Sequence, residues 1–139
     1  MNKPLVFVAV LAALASGSLA VQAQDAGNVA DASAALAQIS PDMNGTVTQP
    51  ITHAPAGDVI AAYFGRAPRQ VYSKQDELLY VISGHGSVSI GYPSFDVKPG
   101  SVVSIPRGTS FEITSTGRSP IKAIVIASPS NDPGNKRIL

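Results

Sequence analysis

Glu77-Leu78-Leu79-Tyr80-Val81-Ile82-Ser83-Gly84, read together with Gly100, Pro106, Gly108 and Phe111, decides the fold of this chain. One acid leads five apolar or aromatic residues, and a glycine turn follows, which is the pattern of a short strand covered on both faces. On either side of it the chain is β-rich: Asp58 to Phe64, Gln70 to Ser73, Ser87 to Ile90, Phe95 to Lys98, Val102 to Ile105, Ser110 to Thr114 and Ile121 to Ala127. Turn residues separate most of these segments, and the glycines at 84, 91, 100, 108 and 117 stand 7, 9, 8 and 9 residues apart. Strands this short, punctuated this evenly, predict an all-β sandwich or barrel. Alternation agrees: Phe111 and Ile113 share one face, as do Ile121, Ala123, Val125 and Ala127.

Upstream the character changes. Lys3 precedes an apolar run from Leu5 to Ala20, and small residues follow at Val21 and Ala23. This is the order of a secretory signal peptide over 1–23, cut before Gln24, and the run is shorter than a bilayer span requires. An exported, most simply periplasmic, protein is the expectation. No cysteine follows to carry a lipid, so no membrane attachment is expected after processing. The remaining 116 of 139 residues suffice for one domain, with 9 Lys+Arg against 9 Asp+Glu once Lys3 is removed. A neutral chain without basic runs has no footprint for nucleic acid. The lack of cysteine excludes disulfides and thiolate metal sites. Residues 24–57 read as an extension: a short helix before Ser40, with Val29, Ala32, Leu36 and Ile39 on one stripe, then a loop from Asp42 to Pro50. The barrel is expected over 58–129 and a tail over 130–139.

From about Asp58 to Pro129 the chain resembles the cupin superfamily, which implies a double-stranded β-helix, or jelly-roll, barrel. Glu77 matches the glutamate of the first cupin motif, and Leu79 to Gly84 match the segment after it. Gly100, Pro106 and Gly108 match the second motif at its spacing, with Phe111 where the family has a histidine and Ser115 where it has an asparagine. The first-motif histidine positions fall at Val71 and Ser73 or, with a spacer one residue longer, at Gln70 and Tyr72. Neither register holds a histidine. The whole chain has two, His53 before the barrel strands and His85 in a glycine turn, so a site of three histidines and one carboxylate cannot form within one subunit. The expectation is no metal and no other cofactor.

Glu77 is the candidate for function. The resemblance implies that it enters the barrel as the only acid facing inward, where desolvation raises a carboxyl toward the range of a general acid or base. The competing reading is an ion pair with Lys74, Arg69 or Arg107. Tyr63, Tyr72, Ser73 and Phe111 complete the candidate ligand-binding set, Phe111 as an apolar wall. A Ser-His-Asp triad would have to recruit His53 or His85, and neither lies near a nucleophile motif. Two function classes follow: a module that binds a small organic molecule, and a metal-independent isomerase or lyase in which Glu77 moves a proton. A structural or assembly role without ligand is the third. Sheet edges and the lack of disulfides predict a homodimer.

Overall fold

In the computed structural model, which describes residues 27–130 and 134–139, two five-stranded antiparallel sheets face each other. The strands are β1 (Thr46–Ala54), β2 (Gly57–Phe64), β3 (Gln70–Tyr72), β4 (Asp76–Ser83), β5 (Gly86–Ile90), β6 (Ser94–Val97), β7 (Val102–Ile105), β8 (Phe111–Ser115), β9 (Ile121–Ser128) and β10 (Lys136–Ile138). The first sheet runs β1-β2-β9-β4-β7 and the second β10-β3-β8-β5-β6. The chain crosses repeatedly between the layers, as in a jelly roll.

Period-two patterning makes the core. Glu77, Leu79 and Val81 of β4 are buried between exposed neighbours, and Ile121, Ala123, Val125 and Ala127 of β9 are buried between half-buried or exposed ones beside them. Phe111, Ile113, Val88 and Val97 close the core from the other sheet. Each large side chain so buried contributes roughly 1.5–3 kcal/mol. Of the five glycines predicted at turns, those at 84, 91, 100 and 108 have positive φ and Gly117 does not. Gly84 is also confined by space, because a Cβ there would lie 2.9 Å from the Cα of Ile121.

Four features differ from the sequence expectation. The helix, α1 (Ala32–Ala37), is only six residues long, capped by Asp31, whose carboxylate accepts from Ser33 and Ala34. Leu36 is buried, while Val29 is fully exposed and joins no stripe. The expected loop ends early, since β1 starts at Thr46 and pairs with β2 from Thr46↔Phe64 onward. Propensity misses this strand because its polar residues face a cavity rather than a core.

The two other differences concern the edges and faces of the sheets. In the expected tail, β10 pairs with β3 as Lys136↔Tyr72 and Ile138↔Gln70. The strand expected to be covered on both faces is covered on one, for Leu78, Tyr80 and Ile82 are 45%, 52% and 37% exposed. The segment read as an export signal, 1–23, lies outside the described residues. Among the described residues no helix is long and apolar enough to cross a bilayer.

Candidate functional site

One end of the barrel holds a cavity of about 260 Å³ between the sheets. Its walls come from six strands or their flanks: Ile60, Phe64 and Val125 are apolar, and Thr46, Gln70, Tyr72, Gln75, Glu77 and Lys136 add polar groups. The strand pairings explain the convergence. Phe64 and Ile60 lie on β2 opposite Thr46 and Pro50 of β1, and Val125 of β9 lies between Ile60 and Leu79. Gln75 and Glu77, two residues apart, share a face, and β10 brings Lys136 opposite Tyr72.

Glu77 points into this cavity and is 6% exposed. Its Oε1 accepts a hydrogen bond of 3.2 Å from Nε2 of Gln75. Burial pushes its carboxyl up to about 7, while the Gln75 hydrogen bond and the charge of Lys136 pull it down. Two of the three cations proposed from sequence, Arg107 and Arg69, are engaged elsewhere. Arg107 grips Asp76 through its backbone N–H, Nε and Nη2, at 2.8, 3.1 and 2.9 Å, and holds that carboxyl below its ordinary value. Arg69 donates to Gly91 O and Ser110 Oγ, both at 3.0 Å, and lies 3.7 Å from Glu112.

The inward residues of β3 are Gln70 and Tyr72, which resolves the two registers left open by the motif. The four positions that would ligate a metal in a metal-binding cupin therefore hold Gln70, Tyr72, Glu77 and Phe111. An amide, a neutral phenol, one carboxyl and a phenyl do not fit a transition-metal site. Burial, and then the nearby Glu77, push the Tyr72 phenol well above its ordinary value, so it does not supply a phenolate. Among the described residues no three His, Asp or Glu side chains come together.

Three candidate ligand-binding residues are corrected. Tyr63 lies between inward Ala62 and Phe64 and therefore faces out, where the Lys122 ammonium stands 5.7 Å from its ring centroid. Ser73 is outside the cavity: its hydroxyl donates to Asn135 O at 3.2 Å, and Asn135 also accepts through Oδ1 from the Lys74 N–H. Phe111, 1% exposed, is core rather than wall and stacks on Tyr72 with centroids 5.8 Å apart. It supports the ring that the cavity sees.

Glu77 is not the only buried acid. Asp58, 8% exposed, stands in the same row of the first sheet, since both pair with Ala127. Its Oδ1 lies 2.6 Å from Nδ1 of His53 and accepts from Ser130 Oγ at 3.0 Å. Ser130 Oγ and Asp58 meet the same ring nitrogen, Nδ1, so the serine–Nε2 and Nδ1–carboxylate relay of a triad is not assembled. His85 is exposed in its turn.

Gln75, Lys136 and Thr46 were missed as site residues by sequence reasoning. Gln75 was within reach, since alternation back from Glu77 puts it on the same face. Thr46 and Lys136 reach the cavity only through pairings with β2 and β3 and carry no local signal.

Residues 65–127 match the family model described as the cupin domain. No curated protein matches the chain. Among solved structures, an uncharacterised double-stranded β-helix protein of Klebsiella pneumoniae is similar at 13% identity and a TM-score of 0.67, over 81% of this chain and 97% of that one. Pac13 of Streptomyces, a nucleoside dehydratase also solved with uridine, is similar at 11% identity and a TM-score of 0.57, over 73% and 91% of the two chains. KdgF of a Halomonas species is similar at 20% identity and 0.56, over 63% and 83%. Likeness at these identities is likeness of fold.

Proposed function

Because this chain belongs to the cupin superfamily, we propose that it is an exported, metal-free cupin that holds a small organic molecule against Glu77. The observation that carries this reading is the cavity: an apolar wall of Ile60, Phe64 and Val125 faces convergent polar groups on Gln70, Tyr72, Gln75 and Glu77. Small-molecule sites have this composition, with a few polar groups setting orientation. The motif residues that would ligate a metal instead shape and polarise the pocket.

One observation favours a second reading, a metal-independent lyase or isomerase. A carboxyl raised to about 7 is present in both protonation states near neutrality, as a general acid or base must be. In this reading Glu77 takes a proton from one atom of the ligand and returns it to another, with Tyr72 as neighbouring donor. That a barrel of similar fold is a nucleoside dehydratase supports keeping this reading.

The exposed side of the first sheet suits self-association. Leu78, Tyr80, Ile82, Val102 and Ile126 stand together on the outer face of β9, β4 and β7, while α1 packs on β1 and β2. From strand spacing and rise this patch projects roughly 300 Å², the size of the largest patches on monomers. Charged side chains stand at its edges, the Asp76–Arg107 pair at one end and Lys122 beside Ile82 at the other. An uncharged, flat patch on a neutral chain meets a second copy without repulsion, in an isologous dimer. A stable dimer buries about 800 Å² per partner, so flanking residues form the rim.

The deciding experiment is ligand screening by NMR and thermal shift on the purified chain and on Glu77→Gln. Binding that perturbs Tyr72 and Gln75 is expected. If ligands bind to both forms alike, Glu77 has no role in the site. Solvent-deuterium incorporation into a bound ligand, lost in Glu77→Gln, selects the catalytic reading.

A further inference from the structure

Two residues that line this cavity, Gln75 and Thr46, each carry a buried side-chain oxygen without a hydrogen-bond partner, Oε1 and Oγ1. Gln75 is 3% exposed, so bulk water does not reach its carbonyl oxygen freely. Buried polar groups are paired in nearly all folded proteins, and an unpaired one in a cavity wall marks a place where something else completes the bonding. The third such atom, Asn135 Nδ2, lies outside the cavity, beside the β3–β4 loop.

The orientation of the Gln75 amide follows from its neighbour. Nε2 is committed to Glu77 Oε1, and reversing the amide would set two acceptor oxygens against each other while Glu77 is ionised. With Glu77 ionised, the carbonyl is therefore turned away from it as an acceptor. Thr46 Oγ1 both donates and accepts. The partner that completes this wall must supply a donor to Gln75 and a group of either sense to Thr46.

Charge narrows the class further. An anion would stand against the buried carboxyl of Glu77, whose ionisation is already opposed by burial. A cation would satisfy Glu77 but meet the ammonium of Lys136 in the same wall. A ligand without donors would leave Gln75 Oε1 without a partner. Hydroxyl groups fit each demand, because they donate and accept as water does and carry no charge. The volume of about 260 Å³ equals that of roughly nine water molecules in the liquid, which suits a single ring with several substituents.

We infer that the cavity takes a neutral polyhydroxylated ring of monosaccharide size, one hydroxyl donating to Gln75 Oε1 and another bonding Thr46 Oγ1, its C–H face against Tyr72 and Phe64. This rests on the proposed binding role of the cavity and assigns it a ligand class.

The test is a titration of the ¹⁵N-labelled chain with neutral pentoses, hexoses and cyclitols, with glucuronate, with glucosamine and with cyclohexanone, each to roughly 50 mM so that millimolar binding is seen. The readouts are the side-chain NH₂ resonance of Gln75, identified by its loss in Gln75→Leu, and the backbone amides of Tyr72, Glu77 and Lys136, which report binding by the variants as well. Neutral sugars or cyclitols are expected to shift it. They should bind at least about tenfold more weakly to Gln75→Leu and Thr46→Val. Thr46→Val should melt no lower than the parent, because it removes an unpaired buried group, whereas Gln75→Leu also takes the hydrogen bond from Glu77 and should melt lower where Glu77 is ionised. Tighter binding of glucuronate, glucosamine or cyclohexanone than of any neutral sugar overturns the inference and leaves the binding role standing. So does equal binding of neutral sugars by Gln75→Leu. If no probe perturbs any cavity residue, the inference fails, and the wider screen decides whether the binding role fails with it.

Discussion

Gln75 donates its side-chain amide to Glu77 across 3.2 Å, from two positions earlier on the same face of the chain. The contact gives a buried acid a neutral partner instead of a cation. An arginine there would hold the carboxyl ionised at all ordinary pH, whereas an amide only tempers the effect of burial. Glu77 consequently titrates near neutrality inside a cavity.

Stability should therefore depend on Glu77 in a defined direction. Its carboxyl is raised from 4.5 to about 7, so its contribution is fully present below pH 4.5 and is lost as the pH rises through 7. A difference of that size corresponds to about 3 kcal/mol at most. Glu77→Gln should be more stable than the parent at pH 8 and little different at pH 4.5. Urea unfolding at the two pH values checks this, and parallel pH profiles for the two proteins would reject it.

The purified chain should retain no stoichiometric transition metal. The inward register identifies which changes would restore a site: Gln70→His, Tyr72→His and Phe111→His together, with Glu77 as the fourth ligand. Elemental analysis after dialysis against nickel or manganese should find about one ion per chain in the triple variant and none in the parent. About one ion in the parent would overturn the metal-free reading.

Phe111 holds Tyr72 in place from behind. Phe111→Ala should destabilise the fold by about 3–5 kcal/mol, through lost burial and the cavity left behind. Tyr72→Phe keeps the stack and should stay within about 1 kcal/mol of the parent while weakening ligand binding. Denaturant melts measure the first effect and titration the second. A Phe111→Ala protein as stable as the parent would show that the ring is not core.

The chain should dimerise through the outer face of β4, β7 and β9. Tyr80→Lys with Leu78→Asp places charge at the centre of the patch and should give a monomer with an unchanged far-ultraviolet spectrum. Multi-angle light scattering distinguishes the states. A parent that is monomeric at micromolar concentration would dismiss the dimer, and a dimeric variant would move the interface elsewhere.

Exported material should begin at Gln24. Intact mass of the protein from the cell envelope checks this directly. A chain there that still carries Met1 would make the apolar segment a retained anchor.

The features legible in the residues alone were periodic and local. The even spacing of Gly84, Gly91, Gly100 and Gly108 specified the turns, because a positive φ is available to glycine at little steric cost. Alternation along β4 and β9 specified which residues share a face, and the motif positions marked Glu77 as inward. The absence of histidine where a metal would bind was also plain from the residues alone. Tertiary structure decided what alternation cannot: which face of a strand is the inside, and which distant strand lies beside it. On β3 it chose Gln70 and Tyr72 over Val71 and Ser73, and on β2 it turned Tyr63 outward. It brought Thr46 and Lys136 to the cavity from segments that read as a loop and a tail, because their strands exist only by pairing with β2 and β3. Such contacts depend on non-local packing, and no short window of sequence contains both partners.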